Sequence, residues 1–230
     1  DGAVMIWIPQ GKYLMGSPAG DGENDEHPQH TIYLNSYFIY KYEVTNKMFE
    51  KFVKETGYIA KGDWKIFYEA GLENHPVVRV TWDDATAYCR WAGTRLPTEA
   101  EWEKAARGTE GRTYPWGNEW DKFKCSNKNL ALRPQMAKIA TEGDSSGQRK
   151  RGSLPVGSFP EGASPYGVMD MAGNVWEWCS DWYQGNYYQH SPPRNPRGPQ
   201  NGPGHVLRGG SWRQVDESLL RTAYRSRIEL

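Results

Sequence analysis

Residues 166–183 read YGVMDMAGNVWEWCSDWY, eighteen positions that hold three tryptophans, two glycines and three acidic residues. Ala172-Gly173-Asn174 is turn chemistry, and the residues after it read as a short aromatic strand. In an extended segment alternate side chains share a face. Trp176, Trp178 and Ser180 therefore fall on one side, and Val175, Glu177 and Cys179 on the other. That sets the Glu177 carboxylate beside apolar neighbours, where an ionised group needs a partner. Asp170 precedes it by seven residues, across a glycine turn whose carbonyls are free to point inward. Two carboxylates and turn carbonyls make the hard-oxygen set that calcium takes. The alternative open at this point is a solvated Asp and a Glu paired with a distant Arg.

The chain around this stretch has 230 residues and no polar or low-complexity break that would separate two cores, so one domain over residues 1–230 is expected. Hydrophobic residues make up only 37% while aromatics reach 13%, with 11 Trp and 14 Tyr, so the core is built from large rings rather than many aliphatics. With 25 Gly and 15 Pro the body is rich in loops. Lys plus Arg equal Asp plus Glu at 28 each, which gives no global field for nucleic acid or an anionic membrane. The run Arg149-Lys150-Arg151 is too short to change that. No apolar run approaches the ~18 residues of a membrane span. The chain opens at Asp1 with no signal-peptide pattern, as a processed N-terminus does. Cys89, Cys125 and Cys179 leave at least one thiol without a partner.

Val4 to Pro9 and Gly11 to Gly16 look like two strands of a hairpin around Pro-Gln-Gly. Residues 31–44 alternate again and read as one or two strands. His27 and His30 lie three apart, without the third and fourth ligands a zinc site needs. Three helices announce themselves by their ends. The first follows Thr45 as N-cap, runs over residues 46–56 with Met48, Phe49, Phe52 and Val53 on its apolar face, and stops at Gly57. A second follows Thr81, ends at Trp91 and is terminated by Gly93. Thr98-Glu99-Ala100-Glu101 is a capping box that opens a third, ending at Arg107 before Gly108. Asp83 and Asp84 in the second helix read as first-turn charges rather than catalysts. Residues 125–153 carry no period and read as a long polar loop, in which Asn127, Asn129 and Asp144 offer oxygens for a second cation. Residues 184–204 read as a surface loop, and the chain closes with an apolar run into Gly209-Gly210-Ser211-Trp212 followed by polar residues. Ser211 lacks a nucleophile-elbow context, and no phosphate loop, CxxC or HExxH is present.

Taken in order, MIWIPQGKYLMGS, YKYEVTNKMFEKF, HPVVRVTWDDATAYCRWAGTRLPTEAEWEKAARG, YPWGNEW, LPVGSFP, YGVMDMAGNVWEWCSDWY and VLRGGSWR resemble the formylglycine-generating, sulfatase-modifying factor family over residues 4–227. The resemblance implies a single α+β domain of the C-type-lectin-like kind, with few short helices and strands and long loops stapled by structural calcium. It places calcium on the side chains of Asp170 and Glu177 with the carbonyls of Gly173 and Val175, and a second site on Asn127 or its neighbourhood and Asp144. The family's two catalytic cysteines fall on Gln214 and Leu219, neither of which supplies the thiolate that copper(I) chemistry needs. In the family a later segment returns a strand to the core, often with a Cys that pairs with the one at Cys89; this sequence stops at Leu230, so the resemblance implies either that the remainder is disordered or removed or that Cys89 is a buried free thiol.

The resemblance therefore implies a pseudoenzyme: a calcium-stabilised, non-catalytic binding or accessory module, extracellular or periplasmic. Its ligand-binding surface would be Trp176, Ser211, Trp212, Arg213, Gln214 and Asp216, the segment used by related variable proteins of diversity-generating retroelements. A protein or a small ligand would be the partner. The competing expectation is an oxidoreductase or tailoring enzyme of the same family whose chemistry does not use a copper–cysteine pair.

Overall fold

The chain's short strands are linked by pairings that sequence proximity does not suggest. In the computed structural model, which describes residues 1–129 and 152–229, β1 (Met5–Ile8) pairs antiparallel with β4 (Tyr37–Tyr40), and β2 (Gly11–Met15) with β3 (His30–Leu34). The expected hairpin between the first two strands does not form. Met5 faces Tyr40 and Met15 faces His30, so each pair of residue numbers sums to 45 and both ladders share one register. They are two halves of one long ribbon, interrupted at Pro9-Gln10. Proline has no N–H to give a ladder, and a break there lets the ribbon bend rather than turn back.

The three helices follow their caps. Residues 46–56 form α1 (Asn46–Thr56), with the Thr45 hydroxyl accepting from the Met48 N–H and Gly57 left-handed at φ 67°. Helix α2 (Trp82–Trp91) opens on a Thr81–Asp84 capping box, and α3 (Glu99–Arg107) on a Thr98–Glu101 box. Asp84 also accepts from the Lys61 and Gly62 N–H groups at 2.8 and 2.9 Å, so it caps the helix and pins a loop. Helices α1 and α2 bury Phe49, Phe52, Trp64 and Tyr88 against one another. Phe49 meets Trp64 edge-on with ring centroids 5.3 Å apart, the geometry the ring quadrupole favours.

Helix α3 is the centre of the molecule. Eight of its residues are buried, including Glu99, Glu103, Lys104 and Arg107. Trp102, Ala105 and Ala106 form the main core with Ile8, Val168, Met171, Cys179 and Val206. Against it lies a three-stranded antiparallel sheet, β5 (Glu177–Trp182), β6 (Gly204–Arg208) and β7 (Ser226–Glu229), in that order. Strand β7 lies in the closing run that reads as merely polar. Trp178 faces Leu207 and Trp182 faces His205, so β5 carries extra residues over that interval. This bulge frees Ser180 to donate its N–H to the Pro97 carbonyl at 2.8 Å, and Asp181 to accept the Glu99 N–H at 3.0 Å. The strand is thereby docked on the N-terminus of α3.

Candidate metal centre and ligand surface

The turn before β5 is locked from several directions. Asp170 and Asn174 are both left-handed, at φ 59° and 58°, and Gly173 is at 83°. A Cβ on Gly173 would run into the Ser126 carbonyl oxygen, so close backbone approach and a positive φ both require glycine here. The Gly173 N–H donates to the Gly209 carbonyl at 2.8 Å, and the Asn174 N–H to that of Ser126 at 3.0 Å. The Asn174 side chain accepts from the Leu154 N–H at 2.9 Å and donates to the Glu43 carboxylate at 2.8 Å.

Asp170 is buried, and its Oδ2 accepts the Gly157 N–H at 2.6 Å. Glu177 Oε2 accepts from the Trp102 indole at 3.0 Å, while its Oε1 is shut off from solvent with no hydrogen-bond partner. The alternation read from sequence is borne out further along β5, where Cys179 and Asp181 are buried and Trp178, Ser180 and Trp182 are half-exposed. Trp176 and Trp178 are not core residues: Trp178 is half-buried and donates its indole N–H to the Val80 carbonyl at 3.1 Å, and half-buried Trp176 leans on Tyr224.

Glu43, in the segment between β4 and α1, joins the same locus. Its Oε1 is likewise shut off from solvent and unpartnered. Burial, then the Asp170 and Glu177 charges, push the Glu43 carboxyl well above its ordinary range. Burial pushes Glu177 up to about 8, with Asp170 adding to it against the Trp102 bond. Burial likewise takes Asp170 up to about 6, opposed by the Gly157 N–H. None of the ion pairs between described residues includes any of the three. Sequence reading missed Glu43, though Tyr42-Glu43-Val44 carries the signal that flagged Glu177, a carboxylate inside an apolar extended run. Among the described residues no three His, Cys, Asp or Glu side chains form a metal cage by themselves. A cation here would need backbone carbonyls as well, as calcium sites commonly do.

For the second site, Asn127 is buried, donates to the Lys122 and Cys125 carbonyls at 2.8 and 3.1 Å, and accepts the Asn129 N–H at 2.9 Å. Asp144 and the Arg149-Lys150-Arg151 run lie outside the described residues.

The expected ligand surface is one loop tied to the turn. The Trp212 N–H donates to the Asn174 carbonyl at 2.9 Å, and the Lys128 N–H to the Gln214 carbonyl at 3.1 Å. The Arg213 guanidinium lies over the Trp212 ring, 5.0 Å from its centroid. Ser211 Oγ accepts the Arg213 N–H at 3.3 Å, and Asp216 accepts the Ser218 N–H at 2.9 Å, capping a 3-10 turn over Glu217–Leu220. Trp212 and Gln214 are half-buried, and Arg213, Val215 and Asp216 are exposed. Structure thus ties Trp212 to the Asn174 carbonyl of the turn and Gln214 to Lys128 and Ser211, whereas Asp216 serves its own loop.

All three cysteines are buried and free. Burial raises every one of their thiols, Cys125 to about 12.

The fold is a small mixed α+β domain with few helices and short strands, of the class to which its structural neighbours belong. The chain belongs to the sulfatase-modifying factor enzyme 1-like domain family, which matches residues 1–229. It is 37% identical to the formylglycine-generating enzyme of Streptomyces coelicolor, over 90% of this chain and 78% of that one. It is 33% identical to the inactive C-alpha-formylglycine-generating enzyme 2 of Mus musculus, over 98% of this chain and 79% of that one. The serine/threonine-protein kinase Pkn1 of Chlamydia caviae is 39% identical over 97% of this chain, which spans only 35% of the kinase's length. Among solved structures, PvdO from Pseudomonas aeruginosa superposes with a TM-score of 0.76 at 27% identity, covering 98% of this chain and 88% of that one. No helix among the described residues is long and apolar enough to cross a membrane.

Proposed function

We propose that the chain is a calcium-stabilised, non-catalytic binding module that presents Trp176, Ser211, Trp212, Arg213, Gln214 and Asp216 to a protein or small ligand outside the cytoplasm. One observation carries the non-catalytic part. The loop after Gly209-Gly210 has Gln214 and Leu219 where the family resemblance puts its thiols, and the cysteines the chain does have are buried with raised pKa values. A catalytic thiol needs the opposite environment, exposed and with its thiolate stabilised. The kinship with a mouse protein named as inactive supports the same reading. In the chlamydial kinases such a domain is about a third of the chain, which supports use as a module beside other activities.

Calcium would be held by Asp170 and Glu177 with the carbonyls of Gly173 and Val175. The donor set is all oxygen, and the shielded, unpartnered Glu177 Oε1 is the kind of atom a bound cation satisfies. When bound, the ion supplies positive charge to a buried anionic turn and so fixes the loop that hangs from Asn174.

The test of inactivity is direct. Purified protein with copper, dioxygen and a sulfatase-type cysteine peptide should leave the peptide mass unchanged. Conversion of the cysteine to formylglycine would overturn the reading and make the chain an enzyme.

A further inference from the structure

The ribbon of β1 to β4 turns an apolar row to solvent as well as one to the core. Ile8 shares a core with Trp102 and Tyr13 one with Ala100, so the inner row meets α3 on both sides of the Pro9-Gln10 break. Lys104 of α3 clasps that break, its Nζ donating to the Pro9 carbonyl at 2.6 Å and the Gly11 carbonyl at 3.2 Å. Crossing the break shifts the alternation by one residue, so the outward positions are Met5 and Trp7, then Lys12 and Leu14. Their cross-strand partners are Tyr40, Phe38, Tyr33 and Thr31. Phe38 is 62% exposed and Trp7 53%, and Met5 and Leu14 are open to solvent too. Exposed hydrophobic side chains scattered singly need no explanation. Here Trp7 and Phe38 face each other directly, and Met5 adjoins them.

Cations accompany this row. Lys12 is exposed, and none of the ion pairs between described residues includes it. Arg194 is exposed as well. Its guanidinium lies 4.3 Å from the centroid of the Tyr33 ring and donates to the Asn35 side chain at 3.1 Å rather than to a carboxylate. None of the eight outward positions is an Asp or Glu, and the Asp1 carboxylate near Tyr40 is taken up by the Tyr40 and Tyr88 hydroxyls. The core of a protein–protein interface is depleted of lysine, yet Lys12 sits in the row between Trp7 and Leu14. Tryptophan and tyrosine beside a long cation that keeps its head in water are the residues of a lipid–water boundary.

We propose that the outer face of this ribbon docks the domain on an anionic lipid surface. Trp7, Phe38, Met5 and Leu14 enter the headgroup boundary, and Lys12 and Arg194 meet lipid phosphates. The balanced total charge of the chain does not oppose this, because the field that matters is that of the face itself within a Debye length.

Flotation with vesicles tests it. Wild type should float with vesicles of phosphatidylcholine mixed with phosphatidylglycerol, should not float with pure phosphatidylcholine, and should be released by salt. Trp7→Ala combined with Phe38→Ala should lower partitioning about tenfold or more, and Lys12→Glu should lower it by on the order of tenfold. Ile59→Ala, at an exposed position off the ribbon, should leave it unchanged. Bromine-labelled lipid should quench part of the wild-type tryptophan emission. Trp7→Phe keeps an aromatic ring in place, so it should fold and bind but lose that part of the quenching, even if the double alanine variant proves unstable. Absence of flotation with anionic vesicles overturns the proposal, as does undiminished binding by a folded double variant or undiminished quenching in Trp7→Phe. A dimer that forms without vesicles and is split by Trp7→Ala, with no flotation, would give the face to a second copy and equally overturn it.

Discussion

Two groups of carboxylates lie on either side of Trp102, and the protein treats them in opposite ways. On one side Glu99 and Glu103 meet Arg107, Arg208 and Arg225, with contacts of 2.6 to 3.2 Å. Burial alone would raise the Glu99 carboxyl, but Arg225 and Arg208 hold it below its ordinary range. On the other side Glu43, Asp170 and Glu177 share no guanidinium among the described residues, and all three are raised. Trp102 makes the boundary. Glu177 and Arg208 are direct cross-strand partners on β5 and β6, the position where an ion pair would be expected. Instead the Trp102 indole gives its N–H to Glu177 and its face to Arg208, whose guanidinium lies 5.2 Å from the ring centroid. Arg208 turns to Glu99 and Glu103. The lesson is that one group is neutralised by arginines of the chain itself, whereas the other has no neutralising partner among the described residues.

The largest effect should come from breaking the self-neutralised side. Arg208→Ala breaks two buried ion pairs at once, leaving Glu99 with Arg225 alone and Glu103 with Arg107 alone, which costs about 3–5 kcal/mol and should lower the melting temperature by on the order of 10 °C. The drop should be equal in calcium and in EDTA. If it vanished in EDTA, Trp102 would not be separating the two groups.

Next comes the other side. EDTA should lower the melting temperature of the wild type by several degrees, since an ion at a hundred times its Kd contributes about 2.7 kcal/mol. Asp170→Ala should reproduce the loss and abolish the response to EDTA. Unchanged melting in both would remove the basis for calcium.

Asp181 is an intermediate case, hydrogen-bonded but not ion-paired. It accepts the Glu99 N–H and the Ser180 hydroxyl, and it faces the carboxylates of Glu99 and Glu101. Burial first, then Glu99, push it up to about 7 from 3.8. The folded state therefore binds its proton more tightly than the unfolded chain does. Its stabilising contribution is complete below about pH 4 and is lost as pH rises through 7. Asp181→Asn keeps the acceptor for Glu99 and cannot ionise. Between pH 5 and pH 8 its stability relative to wild type should improve by about 2–3 kcal/mol, measured by urea unfolding at each pH. A gap that does not change with pH would mean that Asp181 stays ionised throughout.

The helix ends were legible because their determinants are local. Thr45, Thr81, Thr98, Gly57 and Gly108 all act within a turn of the backbone they terminate, and each does so in the structure. The Asp170–Glu177 turn was legible for a similar reason, since its glycine and its stranded carboxylate lie within one short stretch. The first hairpin was misread because strand pairing is not local: Pro9 and Gln10 look like a turn, yet the partners of β1 and β2 lie in residues 30–40. Strand β7, SRIE, has too little apolar alternation to announce itself and is drawn in by pairing with β6.

Helix α3 marks the division between sequence and structure most plainly. The sequence by itself determined where it starts and stops, because the capping box and Gly108 satisfy their own backbone groups. It could not say that Glu99, Glu103 and Arg107 are buried, because charged residues at this spacing read as a solvated face. Only the arrival of Arg208 and Arg225 from the far end of the chain makes that burial tolerable. Glu43 follows the same rule with the opposite outcome: the sequence puts a carboxylate between Tyr42 and Val44, and the tertiary structure brings it to a turn 131 residues further along the chain, where no guanidinium of the described residues meets it. A buried charge is decided by its partners, and partners are brought together by the fold.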